Sequence, residues 1–349
     1  MAAGVSPGPG ILRLRLDRLK IHQNSRKCVV ASPLVLPLLI LIGLAGGAEP
    51  QAPPSIDVPD PRPYRISLDV DLVVLNAAVR DRKGLLASDL REQDFEVYED
   101  GVRQSIQLFK HEDIPVTVGL VVDHSGSMRP KVADVIAAAR TFVQSSSPED
   151  EMFVVNFNEK VTIGLPDAIR LTNRSDELTR AISNSPSTGK TALYDAVVMA
   201  RERLQTGGRD KKVLIVISDG GDNASAHSLA EVLKMAGQSS ALVYTIGIFD
   251  EEDADRNPDV LRRLARPTGG EAFFPGKFNE VVAICERIAR DIRSQYTIGY
   301  VSNHAANSGA YRSIRVVARG TGNSKLFVRT RSGYIASGES RLVKREGAK

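Results

Sequence analysis

Cysteine is scarce in this chain: two in 349 residues, Cys28 and Cys285. Cys28 lies in a segment that reads as a leader, so its removal leaves one thiol and excludes an intramolecular disulfide in the mature chain. Cys285 has Phe278, Val281, Val282, Ile288, Ala289 and Ile292 around it at spacings of three and four, which predicts a small core residue on the apolar face of a helix. Histidine is also rare, at five, and none has the spacing of a metal-binding pair, so nothing points to a His/Cys centre. No fixed-period repeat is present. A basic field is missing as well. The net charge is +4, but Arg13, Arg15, Arg18, Lys20, Arg26 and Lys27, against Asp17 alone, all fall in residues 1–48. Taking these from the totals of 46 basic and 42 acidic residues leaves 40 and 41, a net charge of −1. That balance gives no reason to expect nucleic acid as a partner.

What is present begins with a targeting signal. The basic stretch leads into CVVASPLVLPLLILIGLAGGA, an apolar run (28–48) that ends in small residues, with Gly46 and Ala48 placed to suit a signal peptidase. The run nearly reaches bilayer length, although Pro33 and Pro37 weaken a helix there. A cleaved signal peptide is expected, with an uncleaved N-terminal anchor, a bland apolar tail or a misplaced start as alternatives. The protein is therefore expected to be exported to the periplasm, the cell envelope or the medium. Membrane contact is expected only through this segment, if it is retained.

Residues 49–64 are proline-rich and read as a linker. Strand signals fill 65–113: ISLDVDLVVLNAAVRD alternates in part, FEVYEDG ends in Asp-Gly, and SIQLF resumes the alternation. From 114 to 293 buried strands alternate with amphipathic helices, the pattern of a doubly wound, mainly parallel α/β sheet with helices on both faces. Strands return over 294–335, and 336–349 is a polar tail. Each flank is too small to be stable alone, so the two are expected to pair into one β domain interrupted by the α/β block.

The chemistry concentrates in three segments. VGLVVDHSGSM carries Asp123, Ser125 and Ser127 out of the end of a buried strand. STGKTALYDAV places Thr191 just before a helix, and VLIVISDGGDN places Asp219 just after another strand. Strand ends of an open α/β sheet form a ligand crevice. Two carboxylates and three hydroxyls, without His or Cys, make an oxygen-only donor set suited to a hard divalent cation. Asp222 and Asn223 read as turn or cap residues. Gly189-Lys190-Thr191 lacks the earlier glycine of a phosphate-binding loop, since Asn184 stands there, so no nucleotide is expected. Asp69-Val-Asp71 reads as a solvated strand face. His124 reads as a loop residue, because adjacent Asp, His and Ser cannot align as a hydrolytic triad.

The Asp123-x-Ser125-x-Ser127 run, Thr191 in Thr-Ala-Leu-Tyr-Asp and Asp219 in Ile-Ser-Asp-Gly resemble the metal-ion-dependent adhesion site of von Willebrand factor A (VWA) domains. The flanking DFEVYEDG and QYTIGY further resemble the VWFA-related proteins of Acidobacteria. The resemblance implies that Ser125, Ser127 and Thr191 contact a cation directly or through water, with Asp123 and Asp219 acting largely through bound waters. It implies Mg²⁺, with Mn²⁺ or Ca²⁺ as alternatives, and a protein partner that offers an Asp or Glu carboxylate. The expected function is a non-catalytic binding module of adhesion type. The rivals are a structural envelope protein whose cation only stabilises the fold, and a metal-assisted hydrolase, for which the motifs supply no general base.

Overall fold

Period-two alternation organises the two flanks into strands, and a helix–strand alternation fills the middle of the chain. The computed structural model describes residues 72–249, 255–304, 310–320 and 326–336, all within one compact unit, Ile66–Lys349. The expected leader, the linker, Asp69-Val-Asp71 and all of the polar tail beyond residue 336 lie outside the described residues.

In chain order, the first flank forms β1 (Leu72–Arg80), β2 (Phe95–Glu99), β3 (Val102–Gln104) and β4 (Ile106–Lys110). The α/β block opens with β5 (Val116–Asp123), α1 (Val132–Ser145), β6 (Glu151–Phe157), β7 (Val161–Ile163), α2 (Ser175–Ser183) and α3 (Leu193–Leu204). It continues with β8 (Lys211–Ser218), α4 (Leu229–Gly237), β9 (Leu242–Gly247), α5 (Pro258–Ala265), β10 (Ala272–Phe273) and α6 (Phe278–Arg293). The second flank supplies β11 (Tyr296–Val301), β12 (Tyr311–Ala318), β13 (Phe327–Arg329) and β14 (Gly333–Ile335).

The six-stranded sheet of the block runs β10-β9-β8-β5-β6-β7, parallel except where β7 pairs antiparallel with β6. This is the doubly wound sheet expected from the sequence. VTVGLVVD is buried at every position of β5; a strand covered on both faces needs such a continuous apolar run. α1 buries Val135, Ala138, Ala139, Phe142 and Val143, the three-and-four spacing of an amphipathic helix. Cys285 is buried on α6, where its Sγ donates to Ala138 O at 3.2 Å. Burial pushes its thiol up to about 12, so it is the inert core residue its surroundings predicted. The edge strand β7 is not anticipated by the sequence reading, because three residues carry too little periodicity. The chain passes from β5 to β6 on one side and later enters β8 on the other, so the winding reverses between β5 and β8. At such a reversal a crevice opens outside the carboxyl ends of the strands.

The flanks pair with one another. β1 lies between β11 and β13, and β11 also pairs with β4, giving the sheet β13-β1-β11-β4. β12 pairs with β2 and β14, giving β14-β12-β2-β3. Leu75, Ala77, Val79, Phe95, Val97, Tyr296, Ile298, Tyr300, Ile314 and Val316 from both sheets share one core, so the flanks form a sandwich. Asp100 and Gly101, at φ 47° and 82°, make the Asp-Gly hairpin turn between β2 and β3. The segment LFVRTRSGY (326–334) is divided between the sheets as β13 and β14. Between them, Ser332 N donates to Pro267 O of the α/β block at 3.0 Å, which bends the chain across the sandwich. No helix among the described residues is long and apolar enough to cross a membrane.

Candidate functional site

Asp123 ends β5 and Asp219 follows β8, so the winding reversal brings two fully buried carboxylates to one edge. Asp123 Oδ1 accepts from Ser125 N at 2.8 Å, and its Oδ2 accepts from Ser218 Oγ at 2.6 Å. Asp219 Oδ1 accepts from Gly221 N at 2.9 Å, while Ser127 Oγ donates to Asp219 Oδ2 at 2.5 Å. Ser125 Oγ donates to Ser127 Oγ at 3.1 Å, because the one Ser127 hydroxyl proton is committed to Asp219. Asp123, Ser125, Ser127 and Asp219 are therefore brought together as the motif spacing predicted, in one continuous chain of hydrogen bonds. The donors that hold the two carboxylates in this chain are neutral.

Burial, and after it the Asp219 carboxylate, pushes the Asp123 carboxyl up to about 7, while hydrogen bonds from Ser125 and Ser218 pull it the other way. Two facing carboxylates away from water are costly unless positive charge compensates them. The donor set, two carboxylates and three hydroxyls, fits a hard divalent cation on those grounds.

The fifth expected residue, Thr191, is buried and joins through its loop. Gly126 N donates to Gly189 O at 3.0 Å and Thr188 N to His124 O at 2.9 Å, which docks this loop onto the Asp-Ser-Ser turn. Gly189 has φ 82°, a left-handed backbone conformation that favours glycine, and the Glu159 carboxylate lies against its open face. Lys190 N donates to Glu159 Oε2 at 2.9 Å. Gly220, at φ 86°, is required, since a Cβ would lie 2.3 Å from Asn257 O.

His124 is buried beside Asn156 and Ile182, and burial pushes its imidazole below the usual histidine range, so it is neutral at pH 7. It is a loop residue, as expected, but one turned into the protein. Ser218 and Glu159 were missed by the sequence reading. Ser218 directly precedes Asp219 at a strand end, a position that could have flagged it; Glu159 carries no local signal. Among the described residues another group of potential ligands, Glu99, Asp100 and His304, stands together in the sandwich. There Arg312 already supplies positive charge, with Nε 3.7 Å from Glu99 Oε1 and Nη1 3.6 Å from Asp100 Oδ2.

Residues 117–287 match the family model of the von Willebrand factor type A domain. The α/β block has the von Willebrand factor A fold. An uncharacterized protein of Synechocystis sp. is 24% identical to the chain over 167 residues, a match covering 46% of this chain and 38% of that protein. The chain thus aligns with well under half of that relative's length. Among solved structures, the VWA protein from Catenulispora acidiphila is 14% identical with a TM-score of 0.47, over 77% of this chain and 74% of that one. The vWF domain of the type V pili tip protein Mfa5 from Porphyromonas gingivalis is 16% identical with a TM-score of 0.45, over 52% of this chain and 95% of that one. The conserved hypothetical protein BatB from Bacteroides thetaiotaomicron is 18% identical with a TM-score of 0.41, over 51% of this chain and 100% of that one.

Proposed function

We propose that this protein is an exported binding module whose VWA domain holds one divalent cation and grips an acidic group on a protein partner, without catalysing a reaction. Asp123, Ser125, Ser127, Thr191 and Asp219 would hold the cation: Mg²⁺, with Mn²⁺ or Ca²⁺ as alternatives. The observation that carries the reading is the pair of buried carboxylates, Asp123 and Asp219, joined through Ser125 and Ser127 at the winding reversal. When bound, the cation supplies a Lewis-acidic position that an outside Asp or Glu can occupy, because hydroxyl ligands leave its charge largely unneutralised. The chain's own contribution is to hold the hydroxyls in place, keep the carboxylates out of water, and present the crevice at a strand-end edge. The motif segments offer no base apart from the ligands themselves, which favours binding over hydrolysis. Export rests on the basic-then-apolar leader. The narrower kinship with the VWFA-related proteins of Acidobacteria rests on the two flanking motifs alone and adds no ligand.

Calorimetric titration of the full chain with Mn²⁺ tests the site. Binding is expected in the wild type and is expected to be lost in Asp219→Ala; equal affinity in the two overturns the assignment. A pull-down from the envelope fraction of the source cells, with and without chelator, then tests the partner and the location together. Capture that survives chelation removes the adhesion reading, and a full-length cytosolic product removes the export reading.

A further inference from the structure

Thr191 precedes a helix that has no cap of its own. Ala192 occupies the N-cap of α3 and offers no side-chain acceptor. The orphan N–H groups at a helix start need partners, and they find them on the loop that follows β8. Tyr194 N donates to Asp222 Oδ2 at 2.9 Å and Asp195 N to Ser225 Oγ at 3.1 Å. In return, Asp195 accepts from Ala226 N at 2.9 Å and from His227 N at 3.0 Å. Asp222, read as a turn or cap residue, thus caps a helix distant in sequence.

Thr191 itself is clamped at both backbone polar atoms by the same loop. Its N–H donates to Asn223 Oδ1 at 2.9 Å, and its carbonyl accepts from Asn223 N at 2.9 Å and Ala224 N at 3.0 Å. Thr191 is buried while Asn223 is exposed, so the asparagine contributes this bond rather than apolar packing. Asp219 lies four residues earlier on the same loop, which therefore carries one acidic group of the site and sets the place of a hydroxyl from another segment.

We infer that Asn223 is a positioning residue of the cation site: its side-chain carbonyl fixes the Thr191 backbone, and through it where the Thr191 hydroxyl stands relative to Asp219. The inference rests on the reading of Thr191 as a ligand. Removing the acceptor leaves a buried N–H unpaired and the Thr191 backbone held at its carbonyl alone, and losses of groups that orient a metal ligand run at about 10- to 100-fold in affinity.

The test is calorimetric Mn²⁺ titration of the full chain, with thermal melts, for the wild type, Asn223→Ala, Asn223→Leu, Asn223→Asp and Thr191→Ala, alone and combined. Ala and Leu should both weaken Mn²⁺ by roughly 10- to 100-fold. Asp keeps an acceptor on the same atom and should bind close to wild type. In a Thr191→Ala background, Asn223→Ala should cost nothing further, because the hydroxyl it places is gone. An unchanged affinity in folded Asn223→Ala and Asn223→Leu overturns the inference. So does an equal loss in both backgrounds, the mark of a merely structural role. Absence of Mn²⁺ binding by the wild type has a separate signature: it removes the cation site itself, and the positioning role with it.

Discussion

Ser218 ends β8, and its hydroxyl bridges two strands: it donates to Asp123 Oδ2 at 2.6 Å and accepts from Gly220 N at 3.0 Å. One side chain thereby anchors a site carboxylate and the start of the loop that carries Asp219 onward. Burial and Asp219 already raise the cost of a charge on Asp123, so a lost donor is felt there more than on a surface acid. Ser218→Ala should destabilise the metal-free protein by about 1–3 kcal/mol, the usual cost of leaving a buried polar group without its partner. Urea unfolding in the presence of chelator measures it. An unshifted midpoint would mean that another donor takes over and that the bridge contributes little.

At the scale of elements, the end of α6 depends on a buried amine. Lys211 opens β8, and its Nζ donates to Ile292 O at 2.7 Å, in the last turn of α6, where carbonyls have no intrahelical partner. Burial pushes this ammonium down to about 8, against an upward pull from Asp113. The sign follows from which state releases its proton first. The folded state deprotonates near pH 8 and the unfolded state only near its ordinary value of about 10.5, so between them the unfolded chain binds more protons and stability rises with pH. Urea unfolding of the full chain and of Lys211→Met from about pH 7.5 to about 9.5 should show the wild type gaining about 2 kcal/mol relative to the mutant, a difference that cancels the opposing effect of the raised Cys285 thiol. A wild-type profile that runs parallel to that of the mutant would show that the amine stays charged throughout.

Across the whole molecule the sandwich is a joint product of two segments far apart in sequence. β1 has both of its neighbours, β11 and β13, in the second flank, and β4 pairs with β11. Within the first flank alone only β2 and β3 pair with each other. Fragment 49–113 should therefore remain unfolded by circular dichroism, since three-residue pairing cannot offset about 1–2 kcal/mol of backbone entropy per ordered residue. Fragment 114–293 holds a complete sheet and its own core and should fold. A cooperatively melting 49–113 would contradict the joint sandwich. The halves are also tied by charge: buried Asp291 on α6 accepts from Arg329 Nη2 at 2.8 Å and from Arg80, one arginine from each flank.

The local pattern of the chain determined most of the architecture. The buried run VTVGLVVD, the three-and-four spacing of α1 and the Asp-Gly turn after β2 are signals contained within a dozen residues, and each formed what its periodicity or turn chemistry demands. The same holds for the grouping of Asp123, Ser125, Ser127 and Asp219, because strand ends of a parallel sheet converge on one edge. Other features belong to tertiary structure alone. The Ser218 bridge, the capping of α3 by Asp222 and Ser225, the clamp of Asn223 on Thr191 and the split of LFVRTRSGY between two sheets all join residues distant along the chain. A hydrogen bond between distant residues leaves no periodicity in either segment, so only the folded arrangement, in which every buried donor and acceptor must find a partner, decides which ones meet.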